Sequence, residues 1–204
     1  MLGDLWSFQG RYRTLHLTWI AFFLTFVVWF NLAPLATTVK ADLGLTVGQI
    51  RTVAICNVAL TIPARVLIGM LLDKFGPRIT YSSILVFSAI PCLLFASAQD
   101  FNQLVVARLL LSIVGAGFVI GIRMVAEWFP PKEIGLAEGI YGGWGNFGSA
   151  FSALTMVAFA GFLSFSGGFE LPTGAVLNWR GAIALTGIVS AVYGLFYFSV
   201  SYTH

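Results

Sequence analysis

The sequence has 204 residues, of which 58% are hydrophobic and 9% are charged, and its formal net charge is +3. A soluble domain carries about 25% charged residues, so this composition excludes a soluble globular fold and predicts an all-α protein that crosses a membrane several times. The small positive charge comes without a basic tail and indicates no nucleic-acid partner. The sequence contains neither a metal-ligand cluster nor a nucleophile constellation, so we expect no enzymatic activity, no cofactor and no metal.

Six apolar segments are long enough to form a helix across the bilayer core, which takes about 20 residues. In chain order the predicted spans are residues 15–39, 50–72, 79–98, 103–124, 134–160 and 179–200. The loops between them are short, except for a stretch rich in Gly and Pro before the last span. We therefore expect residues 1–204 to form one six-helix membrane unit without a second soluble domain.

Basic residues in the short loops predict the orientation of the spans. With a cytoplasmic N-terminus, five basic residues fall on the cytoplasmic side, namely Arg11, Arg13, Lys74, Arg78 and Lys132, and three fall on the other side, namely Lys40, Arg51 and Arg180. This excess predicts an integral protein of the cell (inner or plasma) membrane with both ends in the cytoplasm.

The second span contains an arginine, Arg65, two residues after Pro63. A charge at the bilayer centre costs about 2.5–3.5 kcal/mol on insertion scales, so such a residue is a functional candidate. The predicted limits place Arg65 roughly 10 Å inside the cytoplasmic end of its span, and Pro63 is expected to bend the helix nearby. Two interpretations are open: a side chain that snorkels to the interface, and a guanidinium that faces a cavity and binds an anion.

Further charged residues lie in or beside the later spans. Arg108, near the outer end of the fourth span, is expected to form a structural pair or to snorkel. Arg123 and Glu127 are four residues apart, so they are predicted to pair along one helix face. Glu138 begins the part of the fifth span that is rich in small residues. There we expect it to cap the helix or to contact the basic loop 73–78.

The fifth span contains the run "GIYGGWGNFGSAFSA", residues 139–153, in which five residues are glycine. Each glycine costs about 1 kcal/mol relative to Ala inside a helix, so the run needs a specific reason. Residues three and four apart share a helix face, which gives a stripe of Gly139, Gly142, Asn146, Ser149 and Ala153. Small residues let helices approach closely in lipid. We interpret the stripe either as a tight helix contact, with Asn146 bonding to a neighbouring helix, or as a surface that brings an amide donor to a small substrate.

The loop "GMLLDKFGPR", residues 69–78, resembles the loop between helices two and three of the major facilitator superfamily. The motif positions are occupied by Gly69, Asp73, Gly76 and Arg78. Arg108 with the following "SIVGAG" is similar to the basic helix-four motif of the same superfamily. The resemblance implies one six-helix half of a major facilitator fold, built as a 3+3 inverted repeat.

Within that superfamily, "GGWGNFGS" resembles the nitrate signature in helix five of the nitrate/nitrite porter family, and "ARLLLSIVGAGFVIG" is similar to that family's helix four. The small residues of the signature are Gly139, Gly142, Gly143, Gly145, Gly148 and Ser149, the last standing where family members often have Gly. The resemblance implies that Arg65 binds nitrate or nitrite and that Asn146 donates a hydrogen bond to the anion. Phe118 and Phe30 would then form aromatic walls of the site. A guanidinium fork suits such a planar oxyanion.

Members of this family have twelve helices, whereas the sequence ends after the sixth predicted span. The resemblance therefore implies the N-terminal half of a secondary transporter that moves nitrate and/or nitrite by alternating access. Its partner would be the missing C-terminal half or a second copy of the chain, and protons or a counter-anion would provide coupling. Two alternatives stay open: a facilitator for another small or organic anion, and a non-transporting half-transporter that acts as an assembly or regulatory partner.

Overall fold

Helices make up most of residues 7–201, the part of the chain that the computed structural model describes; His204 and the other terminal residues of the predicted unit lie outside it. Helices dominate because a helix satisfies its backbone donors and acceptors within a single apolar segment. The α-helices are α1 (Gly10–Phe30), α2 (Ala36–Asp42), α3 (Val47–Ala59), α4 (Thr61–Phe87), α5 (Ala89–Ser97), α6 (Phe101–Ser112), α7 (Phe118–Trp128), α8 (Pro131–Phe162) and α9 (Trp179–Val200). Short 3₁₀ segments lie at Ala33–Leu35, Ile113–Gly117 and Leu163–Ser166.

One apolar helical stretch, Val47–Ser97, has 51 residues. A straight helix of that length would extend about 77 Å, which is more than twice the ~30 Å thickness of a bilayer core. At Gly76 the backbone leaves the helical conformation, with φ 76° and ψ 169°. Leu71 before this point and Ser83 after it line the same groove, so the two arms of α4 lie side by side. The stretch therefore forms two spans.

With this reversal, residues 7–201 contain six spans. We number them 1 to 6 in chain order: residues 10–42, 47–75, 77–97, 101–128, 131–162 and 179–200. The largest difference from the predicted limits is at the start of span 1, which begins at Gly10 rather than at residue 15. The loop before span 6 is more regular than the sequence suggests, because it holds an antiparallel hairpin of β1 (Phe169–Glu170) and β2 (Val176–Leu177).

Span 2 is interrupted at Leu60, between α3 and α4. The interruption comes just before Pro63, which has no N–H to donate and whose ring disfavours a regular helix over the preceding turn. Two groups at the interruption bond to span 4. The Leu60 amide donates to Ser112 Oγ at 3.2 Å, and Thr61 Oγ1 donates to the Ser112 carbonyl at 3.0 Å. These bonds fix the register of span 2 against span 4.

Span 1 is the central element, since it packs along span 5 and also contacts spans 4 and 6. Span 3 packs against span 6, and the first half of span 2 packs against the first half of span 4. Span 5 is less covered than span 4: within their most apolar 18-residue segments, 22% of the residues of span 5 are buried, against 56% for span 4. One long face of span 5 is therefore without a neighbour in the described part of the chain.

Two glycines of span 5, Gly145 and Gly148, make its close contact with span 1. A Cβ on Gly145 would overlap the Phe22 ring, and a Cβ on Gly148 would overlap the carbonyl oxygen of Phe23. No heavy atom lies within 4 Å of such a Cβ at the other glycines of the run, Gly139, Gly142 and Gly143. Within residues 7–201 the predicted stripe is thus wrong as a helix contact, because span 5 turns a different face toward span 1.

Polar contacts tie the span ends together on both sides of the bundle. At one side Arg11 of span 1 pairs with Glu133 of span 5 at 2.9 Å. At the other side Trp179 Nε1 donates to Asp42 Oδ2 at 2.8 Å, which joins the start of span 6 to the end of span 1. Arg180 donates to the carbonyl oxygens of Ala96 and Ala98 at 2.8 and 2.6 Å, and so holds the end of span 3.

Candidate functional site

Arg65 lies on α4 in the second half of span 2, and its side chain is exposed. Among residues 7–201 it has no hydrogen-bond or ion-pair partner. Its helix neighbours Ala64 and Ile68 are buried, and Thr61, one turn earlier on the same face, bonds to span 4. Arg65 therefore lies at the edge of the packed face of span 2, with its side chain exposed.

The depth of Arg65 is greater than the sequence predicts. Span 2 continues to residue 75 rather than ending at residue 72. Arg65 is therefore about 15 Å from the end of the span, which is close to the centre of a ~30 Å bilayer core. A guanidinium at that depth is far from the interface to which it would have to snorkel.

The register between spans 2 and 4 places Phe118 close to this depth. The two spans run in the same direction, because one reversed span separates them along the chain. Thr61 contacts Ser112, so four residues further along each helix Arg65 and Ala116 lie at about the same level. Ala116 belongs to the 3₁₀ segment Ile113–Gly117, and Phe118 follows directly as the first residue of α7.

The Phe118 ring is half-buried in an aromatic cluster between spans 1, 4 and 5. Its centroid is 5.3 Å from that of Phe22 and 6.3 Å from that of Tyr141. The Phe118 carbonyl accepts a hydrogen bond from the Tyr141 hydroxyl at 3.0 Å. Both the ring and the backbone of Phe118 are thus held by neighbouring spans.

Asn146 is on the open side of span 5 at a similar depth. It follows Gly145, which packs on Phe22, and the Phe22 ring also contacts Phe118. The Asn146 side chain is exposed, and its Nδ2 donates to the Gly142 carbonyl of the same helix at 2.7 Å. The predicted bond to a neighbouring helix is therefore not made within residues 7–201. The amide retains a second N–H for another acceptor.

Phe30 is at a different level from the other three candidates. It lies eight residues beyond Phe22 on α1, or about 12 Å further along the helix, and its ring packs beside those of Phe26 and Trp29. The structure thus brings Arg65, Phe118 and Asn146 to one depth of the bundle. It does not bring Phe30 there.

Arg108 is fully buried, so the snorkelling interpretation for this residue is wrong. Its Nη2 donates to Asn31 Oδ1 at 2.8 Å, its Nη1 donates to Asn57 Oδ1 at 3.1 Å, and its guanidinium lies 4.4 Å from the Phe95 ring centroid. The expected structural pairing is present, but the partners are two amides and a ring rather than a carboxylate. Sequence reasoning missed both asparagines, although a polar residue inside an apolar span is a signal that could have found them.

The loop between spans 2 and 3 connects to two other spans. Asp73 pairs with Arg123 of span 4. Arg78 Nε donates to the Phe198 carbonyl of span 6 at 2.6 Å, and its guanidinium lies 4.5 Å from the Phe198 ring centroid. Gly76 supplies the positive φ of the turn, whereas a Cβ on Gly69 would meet no atom within 4 Å. The loop thus holds the ends of several spans in fixed positions.

The remaining charged residues give one confirmed prediction and one correction. Arg123 Nε donates to Glu127 Oε1 at 2.8 Å, which confirms the predicted pair along the helix. Glu138 does not cap α8, because that helix begins at Pro131 and its first turn contains Glu133. Within the described residues Glu138 also forms no ion pair with the loop 73–78.

The chain is similar to known transport proteins over its whole length. It is 64% identical over 218 residues to the nitrate/nitrite transporter NrtP of Picosynechococcus sp., an alignment that covers 100% of this chain and 41% of the relative. It is 60% identical over 199 residues to the NrtP of Nostoc punctiforme, covering 98% of this chain and 39% of the relative. A probable nitrate/nitrite antiporter, NarK1 of Thermus thermophilus, is 34% identical over 143 residues, covering 69% of this chain and 31% of the relative. The chain thus spans about two fifths of the first two relatives' length.

Solved structures show the same fold in a distant transporter. A bacterial homologue of the human lysosomal transporter Spinster matches with a TM-score of 0.72 in its inward-facing, unoccupied conformation, at 19% identity over 94% of this chain and 43% of that chain. The inward-facing, occupied conformation matches with a TM-score of 0.69. The sequence model of the Major Facilitator Superfamily matches residues 18–204. The apolar six-span bundle, these structural neighbours and this match confirm the predicted fold class: the chain is an integral membrane protein that belongs to the Major Facilitator Superfamily.

Proposed function

We propose that this chain is the N-terminal half of a transporter that moves nitrate and/or nitrite by alternating access, embedded in the cell membrane with its N-terminus in the cytoplasm. The observation that carries the proposal is Arg65, an exposed guanidinium near the middle of span 2 that has no partner among residues 7–201. A charge at that depth is costly unless it faces water or meets an opposite charge. The similarity to relatives named nitrate/nitrite transporters supports this choice of anion.

We assign one role in anion binding to each of three residues, Arg65, Asn146 and Phe118. Nitrate and nitrite are planar oxyanions, and a guanidinium offers coplanar N–H donors to such groups. We assign the free N–H of Asn146 as a second donor to the anion and the Phe118 ring as an apolar wall. In a closed cavity of low dielectric constant the attraction between Arg65 and the anion is stronger than in water.

The partner of this half is proposed to cover the open face of span 5. Transporters of this architecture bind their substrate near the midplane between two halves, and the open face carries Asn146 at the depth of Arg65. The covering unit is either a C-terminal half or a second copy of the chain. A second copy would bring a second Arg65 toward the same anion.

Coupling is needed if the anion moves inward. Import of one anion against 100 mV, negative inside, costs about 2.3 kcal/mol. Symport with protons and exchange for a second anion would each offset this cost. Vesicles without a pH gradient separate the two: loading nitrite inside should accelerate nitrate entry only if the transporter exchanges anions.

The test of the proposed function is the uptake of labelled nitrate by vesicles that contain the protein in its native assembly. We expect Arg65→Gln and Arg65→Lys each to reduce uptake by at least about tenfold, because charge-assisted hydrogen bonds contribute about 1.5–3 kcal/mol and Lys lacks the planar fork. Arg51→Lys is the matched control, since Arg51 is an exposed arginine in the first turns of α3, and it should transport like the wild type.

Three outcomes would contradict the proposal. Nitrate uptake that survives Arg65→Gln would remove the anion role of this residue. Uptake that organic anions block more strongly than nitrite does would favour a facilitator for another anion. Wild-type vesicles that transport nothing, from a protein that co-purifies with another transporter, would favour the regulatory half-transporter.

A further inference from the structure

We infer that Tyr141 is a positioning residue that fixes the distance between Phe118 and Asn146, and so determines the size of anion that the site accepts. The inference rests on the proposed function, because it assigns selectivity to the same site. It concerns a residue that touches neither Arg65 nor the open face of span 5.

Tyr141 is seated in a notch on span 4. The residue is on α8 and is fully buried, and a Cβ on Gly121 of α7 would overlap its ring. Only glycine at position 121 leaves room for a tyrosine ring at this closeness. At the end of the notch the Tyr141 hydroxyl donates to the Phe118 carbonyl at 3.0 Å. Tyr141 of span 5 thus fixes the position of span 5 against span 4.

The ring of Tyr141 also orders the rings around Phe118. Phe22 stacks on Tyr141 with a centroid separation of 4.9 Å and an interplanar angle of 25°. Phe118 is nearly parallel to Tyr141, at 6.3 Å and 19°. Tyr141 therefore positions Phe118 in two ways: it bonds to the backbone carbonyl of Phe118, and it packs beside the Phe118 ring.

Phe118 needs such external support because of the segment before it. Residues Ile113–Gly117 form a 3₁₀ helix in the middle of span 4, and 3₁₀ hydrogen bonds have poorer geometry than α-helical ones, which often marks a hinge. Without a fixed neighbour, the backbone at Phe118 would be free to shift relative to the rest of the bundle.

The other wall of the site is rigidly connected to Tyr141. Asn146 lies five residues later on the same unbroken helix, Pro131–Phe162, which is about 7.5 Å along its axis. One contact, Tyr141 in the Gly121 notch, therefore fixes the span 4 wall against the span 5 donor. Nitrate has three oxygens and nitrite has two, so a change in this distance should affect the two anions unequally.

The experiment is Tyr141→Phe in the native assembly, with uptake of nitrate and nitrite measured over a range of concentrations. The variant keeps the ring and removes the hydroxyl. We expect KM for nitrate to rise about three- to tenfold, the effect of losing one buried hydrogen bond, with the maximal rate within about twofold of wild type. KM for nitrite should change by a different factor, so the preference between the two anions shifts.

Tyr81→Phe is the matched control. The Tyr81 hydroxyl is also buried and lies 3.3 Å from that of Tyr141, but its removal leaves the bond from Tyr141 to Phe118 in place. A merely structural role predicts that the two variants behave alike. Equal changes in KM, or a Tyr141→Phe variant that loses maximal rate at unchanged KM and unchanged anion preference, would overturn the inference.

A second pair of variants tests the notch itself. Gly121→Ala should displace the Tyr141 ring and change KM and anion preference in the same direction as Tyr141→Phe. Gly161→Ala adds the same methyl at the far end of α8, where its nearest contact would be an ordinary 3.7 Å to Leu177, and should leave both unchanged. If Arg65→Gln abolishes uptake while Tyr141→Phe and Gly121→Ala leave KM unaltered, the positioning role of Tyr141 is wrong and the proposed function stands. If Arg65→Gln has no effect on uptake, the proposed function itself is wrong.

Discussion

Arg108 is a buried cation whose hydrogen bonds and ring contact together link five spans. Its two bonds go to Asn31 of span 1 and Asn57 of span 2, and its guanidinium lies over Phe95 of span 3. Asn31 Nδ2 in turn donates to Thr186 Oγ1 of span 6 at 2.9 Å. A charge inside a protein is expensive unless its hydrogen bonds are made. Here neutral amide oxygens and a ring face take the place of a carboxylate, and Nε has no partner among the described residues.

Arg108→Leu should strongly destabilise the fold. It would leave the buried amide oxygen of Asn31 and the part-buried one of Asn57 without a donor. A buried acceptor without a donor costs about 1–3 kcal/mol, so we expect the unfolding midpoint to fall by at least about 4 °C. Thermal unfolding of the assembly in nanodiscs measures this. Arg51→Leu, a change at an exposed arginine, should shift the midpoint by less than about 2 °C. Equal midpoints for the two variants would show that the network around Arg108 contributes little.

The sequence reveals Arg108 as a residue that needs partners, but it does not reveal which ones. Asn31 and Asn57 are 77 and 51 residues away along the chain, and their approach depends on how spans 1, 2 and 4 pack. Pro63 is different, because the bend it causes is a local backbone effect. It was predictable, and the helix is interrupted at Leu60.

At the scale of elements, the spans were predictable because length and hydropathy are local properties, whereas the packed faces were not. A period of 3.6 residues tells which residues share a face but not which face meets a neighbour. In span 5 the glycines occur on several faces, so the stripe through Gly139 and Asn146 was as good a candidate as the contact through Gly145 and Gly148 that the structure shows. The hairpin at residues 169–177 was missed because two-residue strands are too short to produce an alternating pattern.

Gly148→Ala should weaken the contact between spans 1 and 5. Its Cβ would overlap a backbone oxygen, that of Phe23, which cannot rotate away as a side chain could. Overpacking of this kind costs about 1–3 kcal/mol, which should exceed the gain of about 1 kcal/mol from replacing Gly in a helix. We expect a lower unfolding midpoint for Gly148→Ala and an unchanged or higher one for Gly161→Ala. A midpoint that rises in both variants would mean that helix propensity outweighs the contact.

At the scale of the whole molecule, two polar side chains on the described surface would lack hydrogen-bond partners if they faced lipid. Arg65 is exposed and without a partner within residues 7–201, and Asn146 is exposed with one N–H unused. Both lie near the middle of their spans, and most residues of the span that carries Asn146 are not buried. Lipid would leave these groups unsatisfied at a cost of several kcal/mol, whereas a second six-span unit would enclose them in a cavity.

We therefore expect the native assembly to be heavier than a single 22.1 kDa chain. The intact mass in native nanodiscs, followed by the denatured mass of each component, measures this directly. A denatured mass of about twice the chain would show that the second unit is covalently continuous with the first, and two components of chain size would show a pair of halves, either two copies of this chain or this chain with another. A lone 22.1 kDa protein would contradict the expectation, because Arg65 would then face lipid, and transport by alternating access would have to be abandoned for this chain.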